Sequence, residues 1–188
     1  GQRIVPAITT YMEAGCGFGG SCFPKDVKAL ASHGESVGQK MSMLKAVIDI
    51  NHKQPQKVLD LLWKHYPDVE GLKVAVLGLA FKPGTDDMRE SPSIPIINKL
   101  VADKAIVRAY DPIAEEQAKQ IFHGMDITYC VTVDDTVRSV DVILLLTRWP
   151  EFKDLSKILS RIGINPLVVD GRRMLSKDSF KFYEGIGF

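Results

Sequence analysis

From residue 72 onward, short β-branched and aliphatic runs alternate with segments of helical periodicity, and this alternation constrains the fold more than any other feature. Strands are predicted over 72–77, 106–110, 127–131, 142–146 and 167–169, with helices over 93–102, 114–122 and 155–162. Such alternation makes βαβ units, whose right-handed crossovers build a parallel sheet covered by helices on both faces. The run Val142-Ile143-Leu144-Leu145-Leu146 suits a strand buried on both sides. The fold class is therefore α/β.

Before residue 71 the pattern is helical. Tyr11, Met12 and Ala14 fit the tail of a helix, which the glycine-rich run Gly15-Cys16-Gly17-Phe18-Gly19-Gly20-Ser21 then breaks. A second helix is predicted over 22–32, with Pro24 in its first turn, Val27, Leu30 and Ala31 on its apolar face and Gly34 as a stop signal. Over 41–66 apolar residues recur at helical spacing, giving a long helix with a kink at Pro55. A helix of this length serves as a domain connector, a dimer seam or a core helix.

Charge and composition narrow the partners. Lys and Arg number 24 against 23 Asp and Glu, a net charge of +1, so there is no bulk basic field to attract nucleic acid or an anionic membrane. The longest apolar run is too short to cross a bilayer and no signal-peptide pattern opens the chain, so a cytoplasmic protein acting on a small molecule or another protein is expected. The three cysteines, Cys16, Cys22 and Cys130, form no Cys-x-x-Cys pair, which argues against a disulfide framework and a structural metal site.

After the first predicted strand only Gly78 stands where a dinucleotide-binding fingerprint would place a glycine; Gly-x-Gly-x-x-Gly is absent. The strand instead feeds the polar loop 81–91, which carries Lys82 and Arg89 ahead of a helix N-terminus, parts suited to an anion or to a plain solvated loop. Asp111, Thr147-Arg148-Trp149 and Asp170-Gly171-Arg172 end later strands at the same sheet edge. This convergence favours a nucleotide-like site, while Asp111 also fits an ordinary strand-end turn and Arg148 ordinary surface charge.

The segment Gly17-Phe18-Gly19-Gly20-Ser21-Cys22-Phe23-Pro24-Lys25-Asp26 has its own logic. It sets a thiol at a helix N-terminus with a lysine one turn on, the surroundings of reactive cysteines. Asp26, four residues beyond Cys22, shares its helix face and is suited to orienting a water or taking a proton.

This motif closely resembles the catalytic-cysteine signature of the UDP-glucose 6-dehydrogenase family, NAD-dependent enzymes of sugar nucleotides. Gly78-Leu79-Ala80-Phe81-Lys82-Pro83 with Thr85-Asp86-Asp87 and Arg89-Glu90-Ser91 is similar to the stretch that opens the family's C-terminal domain, and Asp170-Gly171-Arg172 to its late Asp-Gly-Arg. The resemblance implies a helical central domain (1–70) carrying the catalytic cysteine and a long dimerisation helix, followed by a Rossmann-like UDP-binding domain (71–188). The family's N-terminal NAD domain has no counterpart here, so a fragment of a longer protein is expected, with NAD held mainly elsewhere.

By the same resemblance Cys22 is the nucleophile and Asp26 assists proton transfer or positions water. Phe18, Gly19, Phe81, Lys82 and Arg172 hold the substrate, Lys25 and Arg89 reach NAD, and no metal takes part. Arg3 resembles a family arginine that reaches a neighbouring subunit's substrate, at a longer spacing from the cysteine motif. Arg148 stands where the family usually has an acidic residue. The implied reaction is two-step oxidation of UDP-glucose by a homodimer, with GDP-mannose as the alternative substrate. As it stands, the chain is also consistent with a nucleotide-binding and dimerisation module without turnover.

Overall fold

The expected alternation resolves into one sheet. The computed structural model describes residues 13–187, so Arg3 and the helix tail at Tyr11 and Met12 lie outside the described residues. Two helices come first, α1 (Phe23–Ser36) and α2 (Ser42–Trp63). Then follow β1 (Lys73–Leu77), α3 (Ser93–Ala102), β2 (Ile106–Tyr110), α4 (Glu115–Ile121), β3 (Ile127–Tyr129), α5 (Val133–Val137), β4 (Val142–Leu145), α6 (Leu155–Ile162), β5 (Leu167–Asp170) and β6 (Phe182–Gly185). All strand pairings are parallel, in the order β3-β2-β1-β4-β5-β6, which is the doubly wound Rossmann order. Its direction reverses between β1 and β4, where sheets of this kind open a crevice beyond the strand ends.

Strands β4 and β5 are buried at every residue, as the apolar runs 142–145 and 167–169 require, with Asp170 buried at the end of β5. One apolar layer gathers Val74, Val76, Ile96, Ile97, Leu100, Leu144 and Val169 on one side of the sheet; the other gathers Leu77, Ile143, Phe152, Leu155 and Val168. Helix α2 contributes Val58, Leu59 and Leu62 to the first layer, each worth roughly 1.5–3 kcal/mol of burial. The C-terminal half of α2 is thus part of the sheet's own core, across the boundary expected near residue 70. Its N-terminal half is different, with Met43 and Ile50 exposed.

Several details depart from expectation. Gly34 does not stop α1, which runs on to Ser36. A Cβ there would stand 2.4 Å from Met41 Cγ, so the glycine serves the close approach of the following segment. Leu30, expected on the apolar face of α1, is exposed. Helix α2, which contains the buried Pro55, runs from Ser42 to Trp63 and is shorter at both ends than the expected 41–66. The short helix α5 and the edge strand β6 were not predicted.

Candidate active site

The turn after β1 consumes its own polar groups. Asp111, at the end of β2, accepts the Leu79 and Ala80 amides at 2.8 and 3.1 Å, the Ile113 and Ala114 amides at 3.0 Å and the Trp149 indole N–H at 3.0 Å. The Ser91 and Ser93 hydroxyls converge on the Leu79 carbonyl at 2.6 Å, and the Thr147 hydroxyl donates to the Ala80 carbonyl at 2.6 Å. Gly78, with φ of +92°, lets Thr147 approach to where a Cβ would clash at 2.4 Å. A dinucleotide fingerprint would aim these amides at a diphosphate; here a protein carboxylate holds them. The strand-end alternative for Asp111 therefore describes it well.

Asp170, fully buried at the end of β5, plays the corresponding part for the next loop. It accepts the Arg172, Met174 and Leu175 amides at 2.8 Å and the Tyr183 hydroxyl at 3.1 Å. Burial first and the neighbouring carboxylate second push the Tyr183 phenol well above its ordinary range. The turn so fixed aims Arg172 at the glycine loop: its guanidinium donates to the carbonyls of Gly17 (2.8 Å) and Leu146 (2.7 Å). Arg148 donates to the Arg172 carbonyl at 2.8 Å and pairs with Glu13. Far from being spare surface charge, it buttresses the turn.

The glycine loop is gripped along its length. Gly171 accepts the Cys16 amide at 2.8 Å, and the Arg89 carbonyl accepts the Gly20 amide at 2.7 Å. Gln54 and Asn51 of α2 bond the Gly15 carbonyl and the Phe18 backbone. A Cβ on Gly19 would stand 2.3 Å from the Glu90 carbonyl oxygen, and one on Gly20 would stand 2.7 Å from the Phe81 ring. The glycines therefore allow backbone to meet backbone and aromatic ring without a gap. Phe18 packs edge-on against Phe23, with ring centroids 4.7 Å apart.

This loop delivers Cys22 to the N-cap of α1, where it is exposed, whereas Cys16 and Cys130 are buried. Burial pushes the Cys16 thiol up, leaving it a neutral core group. Around Cys22, Ser21 Oγ lies 3.6 Å from its sulfur and the Asp26 amide donates to its carbonyl at 2.8 Å. The Asp26 carboxylate pairs with exposed Lys25 at 3.3 Å. Arg89 forks onto Asp87 with bonds of 2.9 and 2.8 Å, which holds the Asp87 carboxyl below and the Arg89 guanidinium above their usual ranges; the Cys22 sulfur adds a smaller contribution to Arg89. Lys82 is exposed and lies over the Phe81 ring at 5.3 Å. Phe18, Gly19, Phe81 and Arg172 thus adjoin one loop, with Arg89 beside it, whereas Lys25, Asp26 and Lys82 point to solvent around it. Sequence reading missed Asn51, Gln54 and Glu13. Asn51 and Gln54 share one side of α2 three residues apart, a signal hidden among helix-compatible polar residues.

Fold and site together define a Rossmann-like domain that grips a cysteine-bearing glycine loop. The chain belongs to the UDP-glucose/GDP-mannose dehydrogenase family: residues 75–177 match its UDP binding domain and residues 3–53 its central domain. It is 39% identical over 178 residues to the UDP-glucose 6-dehydrogenase AglM of Haloferax volcanii and 38% identical over 182 residues to TuaD of Bacillus subtilis. These alignments cover 95% and 94% of this chain but 40% and 39% of those proteins, so the chain spans about two fifths of the length of these curated relatives. A UDP-glucose dehydrogenase from Pyrobaculum islandicum superposes with a TM-score of 0.85 at 37% identity, over 95% of this chain and 40% of that one. A GDP-mannose dehydrogenase from Pseudomonas aeruginosa superposes with a TM-score of 0.80 at 30% identity, over 96% and 42%.

Proposed function

We propose that this chain supplies the nucleophile and the UDP-binding parts of a cytoplasmic, NAD-dependent dehydrogenase that oxidises UDP-glucose to UDP-glucuronate in two steps. The observation that carries the reading is the exposed Cys22 at a helix N-terminus, on a loop held by the two strand-end turns of a nucleotide-binding type of sheet. Residues 1–70 act as the central dimerisation domain, with α2 at the homodimer seam, and 71–188 as the UDP-binding domain.

NAD, when bound, supplies the hydride acceptor for both oxidations. Arg89 and Lys25 fit its phosphates, since both cations are exposed beside Cys22 and Arg89 is pinned by Asp87 along one edge only. An aldehyde carries no second hydride at an alcohol carbon, so the second oxidation needs a nucleophile. The Cys22 sulfur adds to the aldehyde carbon and a proton moves to the former carbonyl oxygen, giving a thiohemiacetal whose carbon again bears a hydroxyl and a hydrogen. Oxidation of that carbon leaves a thioester. Water then adds, the carbon–sulfur bond breaks, and the acid and the free thiol are released. Asp26 orients the water or takes its proton once the Lys25 contact is exchanged for solvent. Phe18 and Gly19 hold the sugar, while Phe81, Lys82 and Arg172 hold the nucleotide end.

Calorimetric titration of the chain with UDP, GDP and UDP-glucose tests the substrate. Binding of UDP and UDP-glucose over GDP is expected; preference for GDP would move the reading to GDP-mannose, and flat traces for all three would overturn the nucleotide site. In the full-length protein, Cys22→Ala should abolish acid formation, and an unchanged rate would remove Cys22 as the nucleophile. The chain alone should not reduce NAD with UDP-glucose.

A further inference from the structure

We infer that Asn51 of α2 is the positioning residue for the Cys22 thiol, a role that rests on the reading of Cys22 as nucleophile. Its carboxamide contacts both backbone groups of one loop residue: Oδ1 accepts the Phe18 amide at 2.8 Å and Nδ2 donates to the Phe18 carbonyl at 2.9 Å. A neighbouring β-strand offers a residue this same pair of bonds, and the glycine loop has no strand beside it. The need is acute because Gly17, Gly19 and Gly20 leave the backbone more conformational freedom than any other residue would.

The fit between helix and loop extends beyond one side chain. Gln54, one turn along α2, donates to the Gly15 carbonyl at 2.8 Å. At Gly17, where φ is +109°, a Cβ would come within 3.0 Å of Asn51 Oδ1, so the glycine admits the carboxamide to the loop. Arg172 and Arg89 bond the loop from the sheet domain, whereas Asn51 and Gln54 bond it from the helix. Only three residues, Gly19, Gly20 and Ser21, lie between Phe18 and Cys22. Releasing the Phe18 peptide therefore leaves the Gly20–Arg89 bond to hold the segment that sets where the thiol stands.

The test compares wild type with Asn51→Ala and Asn51→Asp; the aspartate keeps the acceptor for the Phe18 amide but sets a carboxylate oxygen against the Phe18 carbonyl. Cys22 alkylation by iodoacetamide is followed by peptide mass, Cys16 and Cys130 being buried, with all proteins held at one temperature, 20 °C below the lowest melting midpoint among them, so that folded protein is compared with folded protein at equal intrinsic reactivity. Both variants should change the alkylation rate at least threefold. In the full-length protein kcat should fall at least tenfold while KM for UDP-glucose changes less than threefold. A lowered melting midpoint with unchanged alkylation and unchanged kcat would reduce Asn51 to a stabilising contact and overturn the proposal. If alkylation shifts but wild type shows no turnover of any sugar nucleotide, the positioning of Cys22 stands and the dehydrogenase reading fails. If wild type turns over and both variants match it, the reverse holds.

Discussion

The Asp111 carboxylate accepts the indole N–H of Trp149 at 3.0 Å, across the place where the order of the sheet reverses. One side chain thereby ties the turn after β1, the end of β2 and the loop after β4. Asp111→Ala would strand five N–H donors. Buried unsatisfied donors cost about 1–3 kcal/mol each before relaxation, so a loss of at least about 3 kcal/mol in urea unfolding is expected, a large share of the stability of a domain this size. A change below about 1 kcal/mol would show that the turn holds itself without the carboxylate.

Glycine substitutions should separate contact from conformation. Gly19→Ala sets a methyl 2.3 Å from the Glu90 carbonyl oxygen, so the loop and the 89–90 turn must part and the Gly20–Arg89 bond is lost. A cost of about 1–3 kcal/mol follows from such overpacking, with a drop in UDP affinity. Gly38→Ala meets nothing within 4 Å at φ of +75°, so only the backbone penalty of roughly 1–2 kcal/mol applies and UDP affinity should not change. Equal effects on ligand binding would contradict the assignment of the loop.

Arg172→Lys tests geometry against charge. A lysine keeps the cation but lacks the planar fork that reaches the Gly17 and Leu146 carbonyls together. UDP affinity should fall about tenfold, near 1.4 kcal/mol, and Cys22 alkylation should change with it. Wild-type affinity in the lysine variant would mean that charge alone suffices.

Alkaline titration has a definite sign. Burial, followed by a hydrogen bond to Glu151, raises the Tyr110 phenol from the ordinary 10.0 to about 12. The neutral phenol is thus favoured by folding, so its stabilisation is complete below pH 10 and declines as pH rises toward 12. Absorbance at 295 nm should show a late-titrating class of tyrosines, to which Tyr183 also belongs, and that class should merge with the ordinary one in urea. A single transition near 10 in the native protein would contradict the burial of both rings.

The parallel sheet was legible because its buried strands carry apolar runs: the bounds of β2, α3 and α6 agree with expectation, α4 is one residue shorter at each end, and the other predicted elements from 72 onward differ by one or two residues at one end. Helix α5 has five residues, too few to show a period, although its Thr132 cap, accepting the Asp135 amide at 3.1 Å, left a trace in Thr132-Val133-Asp134-Asp135. Strand β6 lies at the sheet edge, where Phe182 is exposed and the run is short. At the site, a motif could suggest Cys22, Phe81 and Arg172, because each lies in a contiguous signature. Asn51 and Glu13 act through contacts to residues 33 and 135 positions away, and no local pattern announces such a pairing.

The Asp111 carboxylate, seated beyond the C-terminal end of β1, also bears on selectivity. Where other sheets of this topology leave two amides waiting for a solute, this one has filled them from within. A tethered acceptor competes at an effective concentration that millimolar nucleotides struggle to match, and its negative charge repels any phosphate that drifts near. On the proposed function, a diphosphate kept from that anchorage would meet the cations set around the loop, among them Lys82, Arg89 and Arg172. The same internal occupancy that stabilises the domain would, on the proposed function, leave the ligand to the side of the sheet edge where Cys22 stands.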